Sequence, residues 1–146
     1  MQAIEISRSA LDVEWRRLEV IAENLANINS VRSGSTPLYR ERHLVSGPRS
    51  QFASFLNSAS SLGINAHHLT GVDIYGVEES ESPARMVHEP GNPLADAQGM
   101  VAYPNIDHAA QMLQMVKTAR AYEANIVVMN SARDMYMKAL DLGRRS

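Results

Sequence analysis

The chain has no cysteine among its 146 residues. Disulfide frameworks, thiolate metal sites and cysteine nucleophiles are therefore excluded. Aromatic residues are scarce, at 5%, and Trp15 is the single tryptophan. Neither sign of charge dominates: 14 basic residues against 16 acidic ones leave a net charge of -2. Nothing in that balance would hold a nucleic-acid backbone or an anionic membrane. The pairs Arg16-Arg17 and Arg144-Arg145 stand apart, and read as a solvated helix face and a tail. No apolar run approaches the roughly 20 residues of a membrane span, so no direct membrane insertion is expected. The N-terminus, Met1-Gln2-Ala3-Ile4-Glu5-Ile6, has neither a basic n-region nor an apolar h-region. If the protein leaves the cytoplasm, it is expected to do so without a cleaved signal.

What is present is ordinary for a folded chain, with 45% hydrophobic residues. The length suits one domain, able to bury roughly two-thirds of its unfolded surface if compact. Three regions are expected: residues 1–36, 37–104 and 105–146. In the first, Ile4, Leu11, Leu18 and Leu25 recur every seven residues, with Trp15 and Ala22 on the alternate positions and Arg8 interrupting that row. This pattern predicts a helix from Ile4 to Asn29. A second apolar row, Val13, Val20, Ile21 and Ile28, widens the stripe, and Asn29-Ser30, Gly34 and Pro37 end the helix.

The last region predicts a longer helix, from Ile106 to Leu142, with no glycine or proline before Gly143 and with Asn105 or Asp107 as its cap. Met112, Met115, Ala119, Tyr122, Ile126, Met129, Tyr136 and Leu140 follow steps of three and four, broken once by Arg133. Asp134 and Lys138 are spaced for a helical ion pair worth a few tenths of a kcal/mol. In the middle region, Tyr39 to Val45, Gly71 to Val77 and Gly99 to Tyr103 read as short strands. Ala84 to His88 is placed to return on the second of these after a turn at Glu81-Ser82-Pro83. Gln51 to Leu62 is open between a short helix and a loop.

A compact chain of this length would have a diameter of roughly 38 Å, from a radius of gyration of about 15 Å. A helix of about 36 residues is about 54 Å long and does not fit inside it. The expectation is an elongated molecule whose helices carry more apolar surface than one partner helix covers. Such patches mark interaction sites, and Met112, Met115, Met129, Met135 and Met137 suit imperfect or varied partners.

The ends of the chain also carry a resemblance. Asn24-Leu25-Ala26-Asn27 resembles a signature of the flagellar rod, hook and filament-axis family. Arg120-Ala121-Tyr122-Glu123-Ala124-Asn125, then Asn130 and Lys138-Ala139-Leu140, resembles that family's other end. Between them, Ser82-Pro83, Val87, Pro90-Gly91-Asn92-Pro93, Ala95-Asp96-Ala97-Gln98-Gly99 and Val101-Ala102-Tyr103-Pro104-Asn105 narrow the likeness to a proximal-rod subunit. The sequence departs from the pattern at Asn29-Ser30-Val31-Arg32 and from Gly47 to His68.

The resemblance implies a mainly α fold with a small β region, the long N- and C-terminal helices paired as a coiled coil and short antiparallel strands between them. It implies a structural subunit of the bacterial basal body, exported unfolded through the flagellar type III apparatus and assembled in the periplasmic rod. The implied partners are other rod proteins, the basal-body adaptor at the membrane ring, the export apparatus and copies of itself; no cofactor or metal is implied. Leu11, Trp15, Leu18, Leu25, Met115, Tyr122, Ile126 and Met129 would be seam positions within or between subunits. Asn24, Asn27, Arg120, Glu123 and Asn125 would fix helix register through hydrogen bonds, as one buried asparagine does in a coiled coil. Helices without complete partners are marginal alone, so ordering on incorporation is expected.

Three rivals stand beside this reading. An enzyme would draw on His67-His68, His88-Glu89 and His108, but no H-E-x-x-H or comparable ligand spacing exists, nor any nucleophile or phosphate-loop motif. A cytoplasmic helical adaptor or export chaperone would explain the end helices but not the strands bounded by proline and glycine. Another proximal-rod subunit would share the end signatures, and the Asp96-Ala97-Gln98-Gly99 segment separates it.

Overall fold

A computed structural model of the chain describes residues 2–31, 37–49 and 71–144. The expected helix or loop from Gln51 to Leu62, the His67-His68 pair and most of the Gly47 to His68 departure lie outside these residues. The first helix, α1, covers Gln2–Asn27, with Glu5 in its first turn where the helix dipole favours an acid. It ends two residues before the expected Asn29. The Ser30 N–H and hydroxyl both donate to the Asn27 carbonyl, at 3.0 and 2.8 Å, and turn the chain away.

Strand β1 (Arg42–Pro48) pairs with β2 (Val72–Glu79). The Arg49 N–H donates to the Gly71 carbonyl at one end, and the Ser80 N–H donates to the Glu41 carbonyl at the other, so the two run antiparallel. A second ribbon joins β3 (Arg85–His88) to β4 (Met100–Tyr103), antiparallel, with Val87 opposite Val101. This corrects one expectation: β3 does not return on the second strand but pairs with the third. Glu81 to Ala84 forms no turn and stays irregular, and Pro83 has no N–H to offer a ladder. The loop between β3 and β4 is organised by a carboxylate. Asp96 Oδ1 accepts the N–H groups of Gln98 and Met100 at 2.9 and 2.8 Å, and Gly99 takes a φ of +73. The Asp96-Ala97-Gln98-Gly99 segment is thus an aspartate-capped turn that needs its glycine.

The second helix, α2, runs over His108–Gly143, 36 residues, hence about 54 Å. Asp107 is the cap: its Oδ1 accepts the N–H groups of Ala109 and Ala110 at 2.8 and 3.2 Å. The expected Asp134–Lys138 pair is absent among the described ion pairs; both residues are exposed, where holding two long side chains together gains little. No described helix is long and apolar enough to cross a membrane.

Contacts divide the chain into two units, each drawing on all three sequence regions. The first holds the described parts of Met1–Trp15, Ser46–Tyr75 and Arg120–Ser146. There Val13, Ser7 and Ser9 are buried. Ser9 Oγ accepts the Val72 N–H at 3.1 Å and donates to the Ile6 carbonyl at 2.8 Å, tying α1 to the start of β2. The backbone at Gly71 passes so close, at a φ of +101, that an added Cβ would stand 2.3 Å from Ser9 Oγ. Gly71→Ala is therefore expected to cost about 2–3 kcal/mol, from backbone strain and the displaced serine together. A lower urea midpoint by circular dichroism would show it. Gly91→Ala, with nothing within 4 Å of the new methyl, should leave the midpoint in place.

The second unit holds the described parts of Arg16–Val45 and Gly76–Ala119. Its core is Val20, Ile21, Val101, Pro104 and Ile106, with Asn24, Gln111 and Thr118 buried among them.

Candidate functional site

In the second unit the buried polar residues form one network around Asn24, which is 1% exposed. Its Nδ2 donates to the Arg42 carbonyl and its Oδ1 accepts the Arg42 N–H, both at 2.9 Å. The side-chain amide thus pairs with the backbone at the start of β1 as another strand would. The same two atoms serve again: Nδ2 donates to Gln111 Oε1 at 3.2 Å, and Oδ1 accepts the Tyr39 hydroxyl at 2.9 Å. Gln111 Nε2 then donates to Glu41 Oε1 at 2.6 Å. One asparagine therefore joins α1, the approach to β1 and the first turns of α2, with every donor and acceptor of its amide in use. Burial raises the Tyr39 hydroxyl above the usual tyrosine pKa, against the lowering effect of Arg42. Arg42 bridges Glu79 at 3.1 Å and Glu23 at 3.5 Å, but these pairs are solvent-exposed and add little.

The seam positions fall into distinct classes. On α1 the buried row is Val13, Val20 and Ile21, which sequence periodicity had ranked second. Leu11, Leu18 and Leu25 are half-buried on another side of the helix. Trp15 is 56% exposed, yet its ring lies 6.2 Å from that of Tyr122 within the first unit. On α2, Met115, Tyr122, Asn125, Ile126 and Met129 are half-buried. They share a row with Gln111 and Thr118, which the apolar pattern missed because both are polar. Spacing offered the signal: Gln111, Thr118 and Asn125 recur every seven residues beside Met115, Tyr122 and Met129.

Of the residues expected to set register, Asn24 makes its bonds inside the chain. Asn27 is half-buried, and its Nδ2 donates to the Glu23 carbonyl of its own helix at 2.8 Å. Arg120 and Glu123 are exposed and make no hydrogen bond or ion pair among the described residues.

The opposite side of α2 is apolar as well. Leu113, Val116 and Val127 are 55%, 48% and 64% exposed, and with Arg120 and Ala124 they follow steps of three and four. From Arg133 to Gly143 every side chain is exposed, Met135, Tyr136, Met137, Leu140 and Leu142 among them. No group of three or more potential metal ligands occurs among the described residues.

These helices, apolar on more sides than the chain itself covers, define an assembly protein, and the comparisons place it among flagellar rod proteins. Residues 97–142 match the family described as flagellar basal body rod FlgEFG protein C-terminal. Over nearly its whole length the chain is similar to the flagellar basal-body rod protein FlgC of Salmonella typhimurium, 37% identical with 99% of this chain and 98% of the relative covered. The FlgC protein of Bacillus subtilis is 34% identical with 97% of each covered, and that of Borreliella burgdorferi 29% identical with 94% and 93% covered. The chain belongs to the FlgC family of flagellar basal-body rod proteins.

Proposed function

We propose that this chain is a structural subunit of the proximal rod, exported unfolded without a cleaved signal and polymerised in the periplasm through its terminal helices as part of the drive shaft. The observation that carries the polymerisation step is the two-sided apolar character of α2: an inner row led by Met115, Tyr122 and Met129, and an outer row of Leu113, Val116 and Val127 left 48–64% exposed. A helix apolar on opposite sides is stable in water only between two partners. One is supplied within the chain; the other is a neighbouring subunit.

In this reading α1 and α2 pair as a coiled-coil domain, with residues 37–104 as a separate β-containing region outside it. Leu11, Trp15, Leu18 and Leu25 on α1, with Met115, Tyr122, Ile126 and Met129 on α2, make the seam. Asn27, Asn125, Arg120 and Glu123 set the register between subunits, the last two being charges that no partner in the described chain takes up. Asn24 sets it within the subunit. The exposed end of α2 orders against neighbours on incorporation, where intersubunit burial offsets the entropy of ordering. The partners are copies of itself, other rod proteins, the adaptor at the membrane ring and, during transit, the export apparatus.

Mass spectrometry of detergent-purified hook–basal bodies from the source cell tests this directly. The chain is expected in fixed stoichiometry with the neighbouring rod proteins. Its clean absence beside detected rod neighbours would overturn the reading in favour of a cytoplasmic adaptor.

A further inference from the structure

The second unit holds an open cleft of about 470 Å³ away from both helices' apolar rows. Two stretches of chain form its walls, Pro37 to Glu41 and Ser80 to Ala84, with Ala102, Pro104 and Asn105 between them. The cleft begins where the first ribbon ends. The Ser80 N–H donates to the Glu41 carbonyl at 2.7 Å, the last rung, and beyond it the two stretches part. Neither stretch is helix, strand or turn.

The walls carry unused backbone. Among the described residues, no hydrogen bond engages the N–H or carbonyl of Leu38, Tyr39, Arg40, Glu81 or Ala84. The Ser82 N–H is occupied, donating to Ser80 Oγ at 3.2 Å. Water satisfies such groups in an open cleft, and a ligand with its own row of donors and acceptors can replace that water. Arg40 on one wall and Glu81 on the other are both exposed and join no ion pair among the described residues. The tyrosine on the first wall is held in place, its hydroxyl committed to Asn24.

We infer that this cleft binds an extended peptide segment of a partner protein, which enters between the splayed stretches and continues the ribbon as an added strand. The chemistry is that of strand addition: main-chain hydrogen bonds give the affinity, and side chains alternate between the wall surfaces and solvent. The five-residue walls span about 16 Å if extended, so the occupant is about five residues long. The volume lies in the ordinary range of small binding sites, about 300–1,000 Å³. Recognition through the backbone makes the site tolerant of sequence, with the Arg40 and Glu81 charges favouring opposite charges at the two edges of the segment. This assignment is independent of the helix seams.

The test uses isotope-labelled full-length chain, kept at a concentration where sedimentation shows a monomer, and a blocked hexapeptide of alternating threonine and valine. Saturable amide shifts are expected at Leu38, Tyr39, Arg40, Glu81 and Ala84 with millimolar peptide. The same peptide N-methylated at alternate residues is expected to bind about tenfold more weakly or worse, having lost its donors. Ala84→Pro, at an exposed position outside any strand, removes one wall N–H and should also weaken binding. No saturable shift at these amides, equal binding of the N-methylated peptide, or full affinity in the proline variant would each overturn the assignment.

Discussion

Asn24→Ala is expected to destabilise the chain by about 3–4 kcal/mol, the largest effect of any single substitution outside the apolar core. Four bonds converge on this one amide, and alanine leaves their other ends behind: the Arg42 N–H and carbonyl, the Tyr39 hydroxyl and Gln111 Oε1. Tyr39 and Gln111 can turn toward other partners. The Arg42 backbone cannot turn, because β1 fixes it, and alanine is too small to fill the space or to admit a well-held water at a site 1% exposed. Each buried polar group left without a partner costs about 1–3 kcal/mol, and the total is a large part of the 5–15 kcal/mol that keeps a domain folded. Asn27→Ala supplies the control within the same Asn24-Leu25-Ala26-Asn27 motif. Its bond returns to its own helix, so its loss should cost no more than about 1 kcal/mol. Urea unfolding followed by circular dichroism measures both, and amide exchange at Arg42 localises the effect. Equal losses at the two asparagines would refute the junction.

Both helices were legible in the sequence because repeats of seven and of three-four steps need only local spacing, and because Asp107 is a cap by residue type. The strands were placed within a few residues, but their pairing was not. Alternation marks a strand without naming its partner, so nothing local told Ala84–His88 to pair with Met100–Tyr103 instead of with β2. Which row of α1 is buried was also hidden. Leu11, Leu18 and Leu25 make the cleaner repeat, yet Val13, Val20 and Ile21 are the residues covered, because tertiary neighbours decide between two apolar rows. The Asn24 network escaped for a plainer reason. Its members Tyr39, Glu41 and Gln111 are polar, and Gln111 lies 87 residues from Asn24 in the chain. A register role for Asn24 was readable from its motif; the geometry that performs it was not.

Val127→Glu is expected to abolish swarming while leaving the purified chain folded. Val127 is 64% exposed, so a glutamate there meets water in the monomer and should shift stability by no more than about 0.5 kcal/mol. In the assembly the same position lies in the outer row of α2, against a neighbouring subunit, and a carboxylate would enter an apolar contact without a counter-charge. An unpaired buried charge costs about 3–5 kcal/mol, which raises the concentration needed for polymerisation by about a hundredfold or more. Every subunit repeats the contact, so suppression should be complete. Arg120→Ala, on the same face one and a half turns earlier by sequence, removes a charge without burying one and should slow assembly only partly. The order of effects is therefore Val127→Glu well above Arg120→Ala, with thermal melts of both close to that of the parent chain. Swarm diameter in a complemented deletion strain, with protein level checked by immunoblot, reads the first quantity. Normal swarming by Val127→Glu at normal protein level would place the outer row of α2 against solvent, and the second partner that its apolar pattern requires would have to be sought at the exposed end from Arg133 to Gly143.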